Sequence, residues 1–239
     1  MWRVPDLSRR VREPELMDDP SLDRAEHRRA LAGLSRLNRI GGAANIIWNA
    51  ILPLATTPGH GPLSILDIAT GSGDVPLGLI RRAHKVSATL EIHACDISEY
   101  ALGETQRRTG QEHASITTFP LDAVNQQIPG TYDIVMCSLF THHLDDEQVV
   151  GLLYRMRAAA RKLVLVSDLV RTPMAYCMAV AASRILSRSR VVHEDAEQSM
   201  RAAFTIPEMA AIAEQAGLSG AEVAPRWPCR FLLTWRRER

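Results

Sequence analysis

Short apolar runs that alternate with helical patterns constrain the fold of this chain most strongly. The runs are rich in valine, isoleucine and leucine, and most are followed by a segment with the 3.6-residue period of a helix, one of which can be capped by Ser98. Such alternation is typical of βαβ units, in which helices cover both faces of a parallel sheet. The fourth run is the most apolar and is expected at the centre of the sheet. The five predicted strands span residues 63–69, 88–96, 114–120, 132–140 and 162–168.

The C-terminal region changes this pattern. A helix is predicted over residues 205–218, with Pro207 in its first turn and Gly217 at its end. Two further strands, 221–227 and 230–236, are separated by two residues, which favours a hairpin and an antiparallel last strand. We therefore predict an α/β fold with a Rossmann-like, doubly wound sheet of seven strands, mostly parallel with an antiparallel last strand, plus an N-terminal helical cap.

Two domains are predicted from the position of the first strand. Residues 1–60 carry two helical patterns, 21–39 and 43–55, and are expected to form a helical cap; residues 61–239 form the sheet domain, with an insert at 170–205. In the first helix Leu31, Leu34 and Leu37 recur at helical spacing. Such a stripe is typical of core packing, and it could alternatively line a lid that shields a ligand from water.

Composition excludes several classes of protein. The chain has 28 Lys and Arg against 27 Asp and Glu, a balance that disfavours a nucleic-acid partner. Its basic runs near the two ends, LSRRVR and WRRER, are assigned to solvated surface without a partner. The four cysteines lie far apart, without the spacing of a zinc site, so no metal is predicted and a cytoplasmic location is expected. No signal peptide and no membrane span are predicted, because the apolar stretches are too short.

The loop after the first strand points to a ligand. In an open α/β sheet ligands bind beyond the carboxyl ends of the strands, where Gly71 and Gly73 would let a ligand approach the backbone, so a side chain at Gly73 is expected to obstruct it. A dinucleotide fingerprint needs a further glycine where Pro76 stands, and no P-loop lysine follows. Asp67 and Asp74 disfavour a pyrophosphate and suit a cationic ligand.

Asp96, at the end of the second predicted strand, is placed to bind the hydroxyls of a ribose. A ligand with a ribose and a cationic part, but without phosphate, is S-adenosylmethionine. The alternative, a bare turn between a strand and a helix, explains the glycines alone but leaves the carboxylates without a reason.

Four motifs, LDIATGSGD (66–74), CDIS (95–98), PLDA (120–123) and YDIVMCSLFTHHL (132–144), follow in this order. In these motifs the chain resembles the class I S-adenosylmethionine-dependent methyltransferases over about residues 60–236. The usual first glycine of the family loop is missing here. The resemblance implies that S-adenosylmethionine is the cofactor, with the methionine end beside the glycine loop, the ribose at Asp96 and the adenine near Ile97 and Asp122. The implied cofactor-binding residues are Asp67, Ala69, Gly71, Gly73, Asp74, Asp96, Ile97, Asp122, Ala123 and Ser138.

Candidate catalytic residues follow the fourth strand. The motif lacks the Pro-Pro-Tyr sequence of amino-methyltransferases and the Pro-Cys of cytosine C5-methyltransferases. His142 or His143 could act as a general base on a hydroxyl, and His193 is a third candidate. Each histidine could alternatively have only a packing or hydrogen-bonding role.

The insert is expected to contact the substrate. Asp168, Arg171, His193 and Arg201 are the predicted substrate-binding residues, because arginines could neutralise a carboxylate or phenolate. Ordinary surface polarity with an internal salt bridge is the alternative. The same segments resemble methyltransferases of polyketide and quinone pathways, which implies a small aromatic or polyketide-like acceptor and O-methylation. C-methylation of a quinone-like ring, an inactive cofactor-binding protein and an RNA methyltransferase are alternatives, the last disfavoured by the charge. A homodimer is left open.

Overall fold

The computed structural model describes residues 4–18, 22–23, 26, 29–30, 33, 36–37, 41–59 and 61–238. A seven-stranded sheet runs through the centre of the protein in the order β3-β2-β1-β4-β5-β7-β6. The first five strands are parallel, and β7 is antiparallel to both of its neighbours, β5 and β6. The predicted fold class is therefore confirmed, with the most apolar strand, β4, in the middle. The strands are β1 (Leu63–Ile68), β2 (Leu90–Asp96), β3 (Ile116–Pro120), β4 (Tyr132–Ser138), β5 (Ala160–Leu169), β6 (Glu222–Arg226) and β7 (Arg230–Arg236).

Helices cover both faces of this sheet. They are α1 (Ala43–Ala55), α2 (Asp74–Lys85), α3 (Glu99–Gln111), α4 (Asp146–Ala159), α5 (Pro173–Leu186), α6 (Arg190–Ala202) and α7 (Ile206–Gln215). Their starts follow local chemistry. Ser98 accepts a hydrogen bond from the backbone N–H of Ala101, as its position predicts, and Asp145 and Thr205 each begin a reciprocal capping box.

The core is divided by the sheet into two apolar layers. On one face, Ile47 and Ile51 of α1 pack with Leu79 of α2 against the inward side chains of the strands. On the other face, Leu152 of α4 and Met209 of α7 pack against the alternate side chains of the same strands. Burial on both faces explains why the parallel strands are continuously apolar, because neither side of the sheet meets water.

The order of the strands places a crevice between β1 and β4. After β1 the chain continues outward through β2 and β3, and then returns to the other side of β1 to form β4 and β5. At such a reversal the two connecting loops leave the carboxyl edge in opposite directions, and the space between them is where ligands bind in open α/β sheets.

The N-terminal segment lies across the structure as a strap, which we define as residues 4–18. It contains a single 3₁₀ turn, Leu16–Asp18. Arg10, from the basic run assigned to solvated surface, has only 13% of its side chain exposed; it donates to the carbonyl oxygen of Ala202 at 2.6 Å and lies 3.7 Å from the ring centre of Phe204. Arg10 therefore anchors the strap, and its assignment to solvated surface was wrong.

The predicted cap is only partly described. The described residues 26, 29–30, 33 and 36–37 are helical, whereas Leu31 and Leu34 lie outside the described residues. Helix α1 belongs to the layer that covers the sheet. A lid role for residues 1–60 stays a prediction.

The insert 170–205 contains α5 and α6. Its two ends meet at a parallel bridge between Val170 and Phe204. Among the helices that the structure describes, none combines the length and the apolar character needed to cross a membrane.

Candidate active site

In the glycine loop after β1 the chain turns sharply, because three of its residues adopt the left-handed backbone conformation. Ala69, Gly71 and Gly73 have φ angles of 53°, 57° and 75°. Thr105, from α3, fixes the loop by donating from its hydroxyl to the carbonyl oxygen of Gly71 at 2.8 Å. Ala69 stands where the family's first glycine would be and adopts the conformation that glycine prefers, which costs about 1 kcal/mol or more for alanine.

The two glycines have different surroundings. A Cβ atom added to Gly71 would meet nothing within 4 Å, so this residue opens onto the crevice. A Cβ atom on Gly73 would lie 2.9 Å from Cγ2 of Thr105, so its neighbour is α3. In the structure, a side chain at Gly73 would first clash with Thr105 of the protein itself. That it would also obstruct the ligand stays a prediction.

Asp67 is a buried carboxyl group at the end of β1. It is 2% exposed, and its Oδ2 accepts a hydrogen bond from the hydroxyl of Thr70 at 2.7 Å. Burial raises the pKa of Asp67 to about 7; the Thr70 hydrogen bond opposes this, and the charge of Asp96 adds to it. Such a group is readily ionised by a cationic ligand, because a nearby positive charge favours the carboxylate.

Asp96 and Ile97 stand at the end of the neighbouring strand β2. The carboxylate of Asp96 accepts from the backbone N–H of Gly71 and from that of Ser98, both at 2.9 Å, so it joins β2 to the glycine loop. Ile97 is 71% exposed beside it. The acid and the apolar side chain thus lie next to the loop that opens onto the crevice.

Asp122 and Ala123 form the loop after β3. The carboxylate of Asp122 accepts from the side-chain amide of Asn125 at 2.8 Å and from the backbone N–H of Val124 at 3.0 Å. These hydrogen bonds lower its pKa, the Asn125 side chain most. Arg155 of α4 donates to the carbonyl oxygen of Ala123 at 2.9 Å and holds the loop in place.

Of two other predicted cofactor-binding residues, Asp74 has an ion-pair partner and Ser138 has no hydrogen-bond partner among the described residues. Asp74 pairs with Arg108 of α3 at 2.7 Å. The hydroxyl oxygen of Ser138, at the end of β4, is buried and has no hydrogen-bond partner among the described residues. Leu139 follows it in a left-handed conformation, with a φ of 54°, where the chain leaves the sheet.

His142 is held by Asp168, which lies on the adjacent strand β5. Oδ1 of Asp168 lies 2.7 Å from Nδ1 of His142, while Oδ2 accepts from the hydroxyl of Thr141 at 2.6 Å. Because a carboxylate only accepts hydrogen bonds, Nδ1 of His142 carries a proton and Nε2 is the nitrogen that remains for chemistry. His142 is 4% exposed and Asp168 is 1% exposed.

The charges of this pair shift each other's pKa. Burial alone would lower the pKa of His142, but the charge and hydrogen bond of Asp168 outweigh burial and raise it. Burial would raise the pKa of Asp168, yet the charge of His142 and the hydrogen bonds from His142, Thr141 and Leu169 hold it well below its usual value. The result is a buried acid–base pair at the edge of the crevice.

His143 and Glu15 complete a cluster around His142. Oε1 of Glu15, a strap residue, lies 3.8 Å from Nε2 of His142 and 4.0 Å from Nδ1 of His143. Burial, followed by the charge of His142, lowers the pKa of His143 to about 4, although Glu15 opposes this. Glu15 was not predicted as a site residue, and no local motif could reveal it, because the partners are far apart in the sequence.

The predicted substrate-binding residues of the insert region all have partners within the protein. Arg171 is 3% exposed and donates to Glu208 at 2.6 Å and to the carbonyl oxygen of Leu7 at 3.0 Å. A ring nitrogen of His193 lies 2.8 Å from the carbonyl oxygen of Ser187. Arg201 pairs with Glu13 of the strap at 3.2 Å, and Asp168 holds His142. Direct substrate contact by these four residues stays a prediction.

Comparison with known proteins finds a matching domain and a relative of known activity. Residues 65–163 match the family model described as a methyltransferase domain. Over 108 residues the chain is 31% identical to the demethylmenaquinone methyltransferase of Deinococcus radiodurans. That alignment covers 44% of this chain and 43% of the relative, so the chain spans less than half of that protein's length.

Solved structures of similar fold include two methyltransferases. The magnesium protoporphyrin IX methyltransferase of Synechocystis PCC 6803, solved with bound S-adenosylhomocysteine, has a TM-score of 0.59 at 15% identity, over 92% of this chain and 90% of that chain. The plantazolicin methyltransferase, also in complex with S-adenosylhomocysteine, has a TM-score of 0.66 at 14% identity, over 93% and 92%. The chain therefore carries a methyltransferase domain over residues 65–163 and shares the fold of the class I S-adenosylmethionine-dependent methyltransferases.

Proposed function

We propose that this protein transfers a methyl group from S-adenosylmethionine to an oxygen atom of a small, aromatic or polyketide-like acceptor. The observation that carries the proposal is the meeting of two groups at one edge of the sheet. Asp67, Gly71 and Asp96 lie where β1 and β2 end, and the buried pair of His142 and Asp168 lies where β4 and β5 end.

Two features of the cofactor side of the crevice support binding of S-adenosylmethionine there. Gly71 leaves open space where a side chain would stand, and Asp67 offers a carboxyl group that a cation can ionise. Asp96 would bind the ribose hydroxyls, and the exposed Ile97 would cover the adenine, whose amino group would face Asp122. No phosphate partner is needed, in agreement with the acidic character of the loop.

The acceptor side would supply alignment and a proton acceptor. S-adenosylmethionine, when bound, supplies a methyl group on a sulfonium sulfur. Held by Asp67, Gly71 and Asp96, the cofactor would present this methyl group for displacement from sulfur by the acceptor oxygen. The hydroxyl proton passes to Nε2 of His142, while Asp168 keeps the other ring nitrogen protonated and the ring oriented. Most of the acceleration would come from alignment of the two reactants, because direct displacement requires little else.

C-methylation of a quinone-like ring is the second candidate, and the likeness to demethylmenaquinone methyltransferase favours it. In that case a ring carbon forms the new bond and the proton lost from that carbon would pass to the same histidine. The two candidates share the cofactor site and differ only in the acceptor atom, so they are separated by the structure of the product.

Calorimetric titration of the full chain with S-adenosylhomocysteine, beside NAD as a control, tests the proposal first. Micromolar binding of S-adenosylhomocysteine alone is expected, and binding of neither, or of NAD alone, would contradict it. A panel of phenols, hydroxyquinones and quinols is then incubated with S-adenosylmethionine. Fragmentation of the product by mass spectrometry distinguishes an oxygen-bound methyl group from a carbon-bound one.

A further inference from the structure

We propose that Glu15, His142 and His143 form a binding site for a divalent transition cation of the zinc class. Each side chain offers one ligand atom, and the three atoms lie within 4.8 Å of one another. The site lies next to the acceptor side of the crevice, so its use in catalysis rests on the function proposed above, whereas its existence does not.

The distances favour an ion over direct hydrogen bonds. Oε1 of Glu15 is 3.8 Å from Nε2 of His142 and 4.0 Å from Nδ1 of His143, beyond the 2.7–3.2 Å range of a hydrogen bond. By contrast, the direct contact of His142 with Asp168 is 2.7 Å. Bonds of about 2.0–2.1 Å to a tetrahedral zinc ion place the ligand atoms roughly 3.3 Å apart. Movements of Glu15 and of the two imidazole rings from separations within 4.8 Å to about 3.3 Å would therefore close the three ligands on a cation.

The orientation of His142 is the second observation. The fully buried carboxylate of Asp168 accepts from Nδ1, which leaves the lone pair of Nε2 without a proton at 3.8 Å from Oε1 of Glu15. Histidines that bind metals commonly donate their other ring nitrogen to a carboxylate in this way, which fixes the ring and raises its basicity.

Glu15 is also held in place from its own side. The backbone N–H groups of the next two residues, Leu16 and Met17, donate to the buried carboxylate of Asp195 at 2.7 and 3.2 Å. The hydroxyl of Ser199 donates to Oε1 of Glu15 itself. The three ligands thus stand on a fixed strap and on the turn after β4, and forming the site requires little ordering.

Charged groups of both signs surround the cluster, and the nearby arginines direct their donors to other partners. Arg10 directs its guanidinium group to the carbonyl oxygens of His142 and Ala202 and to Asp146, and Arg12 donates to the carbonyl oxygen of His143. Their charges oppose a cation, and those of Glu15 and Asp168 favour it. Because these charges largely offset each other, the cluster would favour cations that form strong bonds to imidazole.

The chemistry of the ligands selects the cation. Two imidazoles and one carboxylate suit zinc, iron, nickel and copper, whereas magnesium and calcium prefer oxygen ligands alone. Three protein ligands leave a fourth position of a tetrahedral site open, as in catalytic zinc sites. An acceptor with a hydroxyl or enol oxygen would fit that position. A cation bound to Nε2 of His142 excludes proton uptake by the same nitrogen, so the histidine base described above acts in the metal-free protein.

Titration of the chelator-treated full chain with zinc chloride tests the site directly. One ion per chain with a dissociation constant of micromolar or below is expected, and cobalt chloride should give the visible absorption of a tetrahedral site. Glu15→Gln and His143→Gln should each weaken binding at least tenfold. His113→Gln, an exposed histidine in the loop after α3, is the matched control and should leave binding unchanged.

The outcomes separate the site from the proposed function. Absence of zinc binding, or binding that survives both Glu15→Gln and His143→Gln, would overturn the proposal. Asp168→Asn should weaken binding by about 10- to 100-fold through the orientation of His142. Circular dichroism of the same samples shows whether the variants are folded, independently of S-adenosylhomocysteine binding. If the wild-type protein binds zinc but not S-adenosylhomocysteine, the proposed function is refuted and the metal site is retained. If it binds S-adenosylhomocysteine but not zinc, the metal site is refuted and the proposed function is retained.

Discussion

Asp168 of β5 and His142 of the turn after β4 form a buried hydrogen-bonded pair, with 2.7 Å between Oδ1 of the acid and Nδ1 of the histidine. The two residues stand 26 positions apart in the sequence and meet because β4 and β5 are parallel and in register, with Ser138 opposite Ser167. The pair links the chemistry of the crevice to the topology of the sheet, since any βαβ unit brings the ends of its strands to one edge.

Replacing Asp168 with asparagine should slow methyl transfer and shift its pH profile. His142 accepts a proton only when neutral, so the rate falls as the pH drops through its pKa, which Asp168 raises. Without that charge the pKa of His142 falls, and the acid limb of the kcat/KM profile should move to lower pH. The loss in kcat should be about 10²-fold, the lower end of what a general base contributes.

His142→Ala is the control for this prediction, because it should remove the acid limb altogether while leaving the affinity for S-adenosylhomocysteine unchanged. The same acid limb in the wild-type protein and in Asp168→Asn would mean that His142 is not the group that titrates. The profile should be recorded on metal-free enzyme, so that a bound cation does not occupy Nε2.

Replacing Asp67 with asparagine should stabilise the protein and weaken cofactor binding. The pKa of Asp67 is about 7 in the folded chain and about 4 when unfolded, so folding takes up a proton between these values. The free energy of unfolding therefore falls as the pH rises from 4 to 7 and stays lower above 7. Asparagine avoids this cost, and at pH 8 the Tm of the variant should be at least several degrees above that of the wild type.

Thermal melts of both proteins between pH 5 and 8 measure this effect. The difference in Tm should widen as the pH rises, and parallel curves would show that charge burial is not its cause. The affinity for S-adenosylhomocysteine should fall at least tenfold in the variant at pH 8, since the amide cannot ionise beside the ammonium group of this ligand. The difference in affinity should narrow toward pH 5, where Asp67 of the wild type is protonated as well. A variant that is more stable but binds more weakly would show that the buried carboxylate of Asp67 lowers the stability of the protein and is needed for binding.

A comparison of alanine at Gly71 and at Gly73 should separate binding from stability. Both residues have positive φ, so each substitution costs about 1 kcal/mol in backbone strain. At Gly71 the added Cβ faces the open crevice, and the affinity for S-adenosylhomocysteine should fall at least tenfold with little further loss of stability. At Gly73 the Cβ meets Thr105, and the main effect should be a lower Tm.

Thr105→Ser tests the reason for the second effect. Serine removes Cγ2, which lies 2.9 Å from the added Cβ, and keeps the hydroxyl that donates to the carbonyl oxygen of Gly71. The double variant Gly73→Ala with Thr105→Ser should therefore melt above Gly73→Ala alone. Equal Tm values for the Gly71 and Gly73 variants would contradict the difference in their surroundings.

Local sequence patterns were sufficient to predict the sheet. All seven strands are found, because the alternation of apolar runs and helical periods is a local signal that burial on both faces reinforces. The second strand begins at Leu90, two residues after the predicted start, since an apolar residue such as Ala88 can also pack in the preceding turn. The turn of the glycine loop was predictable for the same reason, as its glycines and acids are adjacent in the chain, whereas its binding of the cofactor stays a prediction.

Long-range contacts account for what the sequence did not reveal. Glu15 lies more than a hundred residues from His142, and Arg10 lies equally far from its backbone acceptors at the turn after β4. A basic run near a terminus has no periodicity that distinguishes a buried anchor from solvated surface. Only the fold brings the strap to the crevice, so its role could not be predicted from composition or spacing.

Replacing Arg10 with alanine should release the strap from the crevice. Its guanidinium group donates to Ala202, His142 and Asp146 and stacks on Phe204. Hydrogen bonds from a charged group contribute more stability than the bonds to water that replace them when the strap opens. The free energy of local opening should fall by about 2–3 kcal/mol, which corresponds to roughly 30- to 150-fold faster amide exchange.

The amides of Val11 and Leu16 report this opening, because they donate to the carbonyl oxygen of Arg201 and to Asp195 in the closed strap. Arg12→Ala is the matched control; Arg12 is more exposed and donates to the carbonyl oxygen of His143 at 2.8 Å, so its loss should speed exchange less. If the strap covers the acceptor, Arg10→Ala should raise the KM of the acceptor and leave the affinity for S-adenosylhomocysteine unchanged. Unaltered exchange at Val11 and Leu16 would show that the strap is held by its other contacts, of which the pairing of Leu16 and Met17 with Asp195 is the strongest candidate.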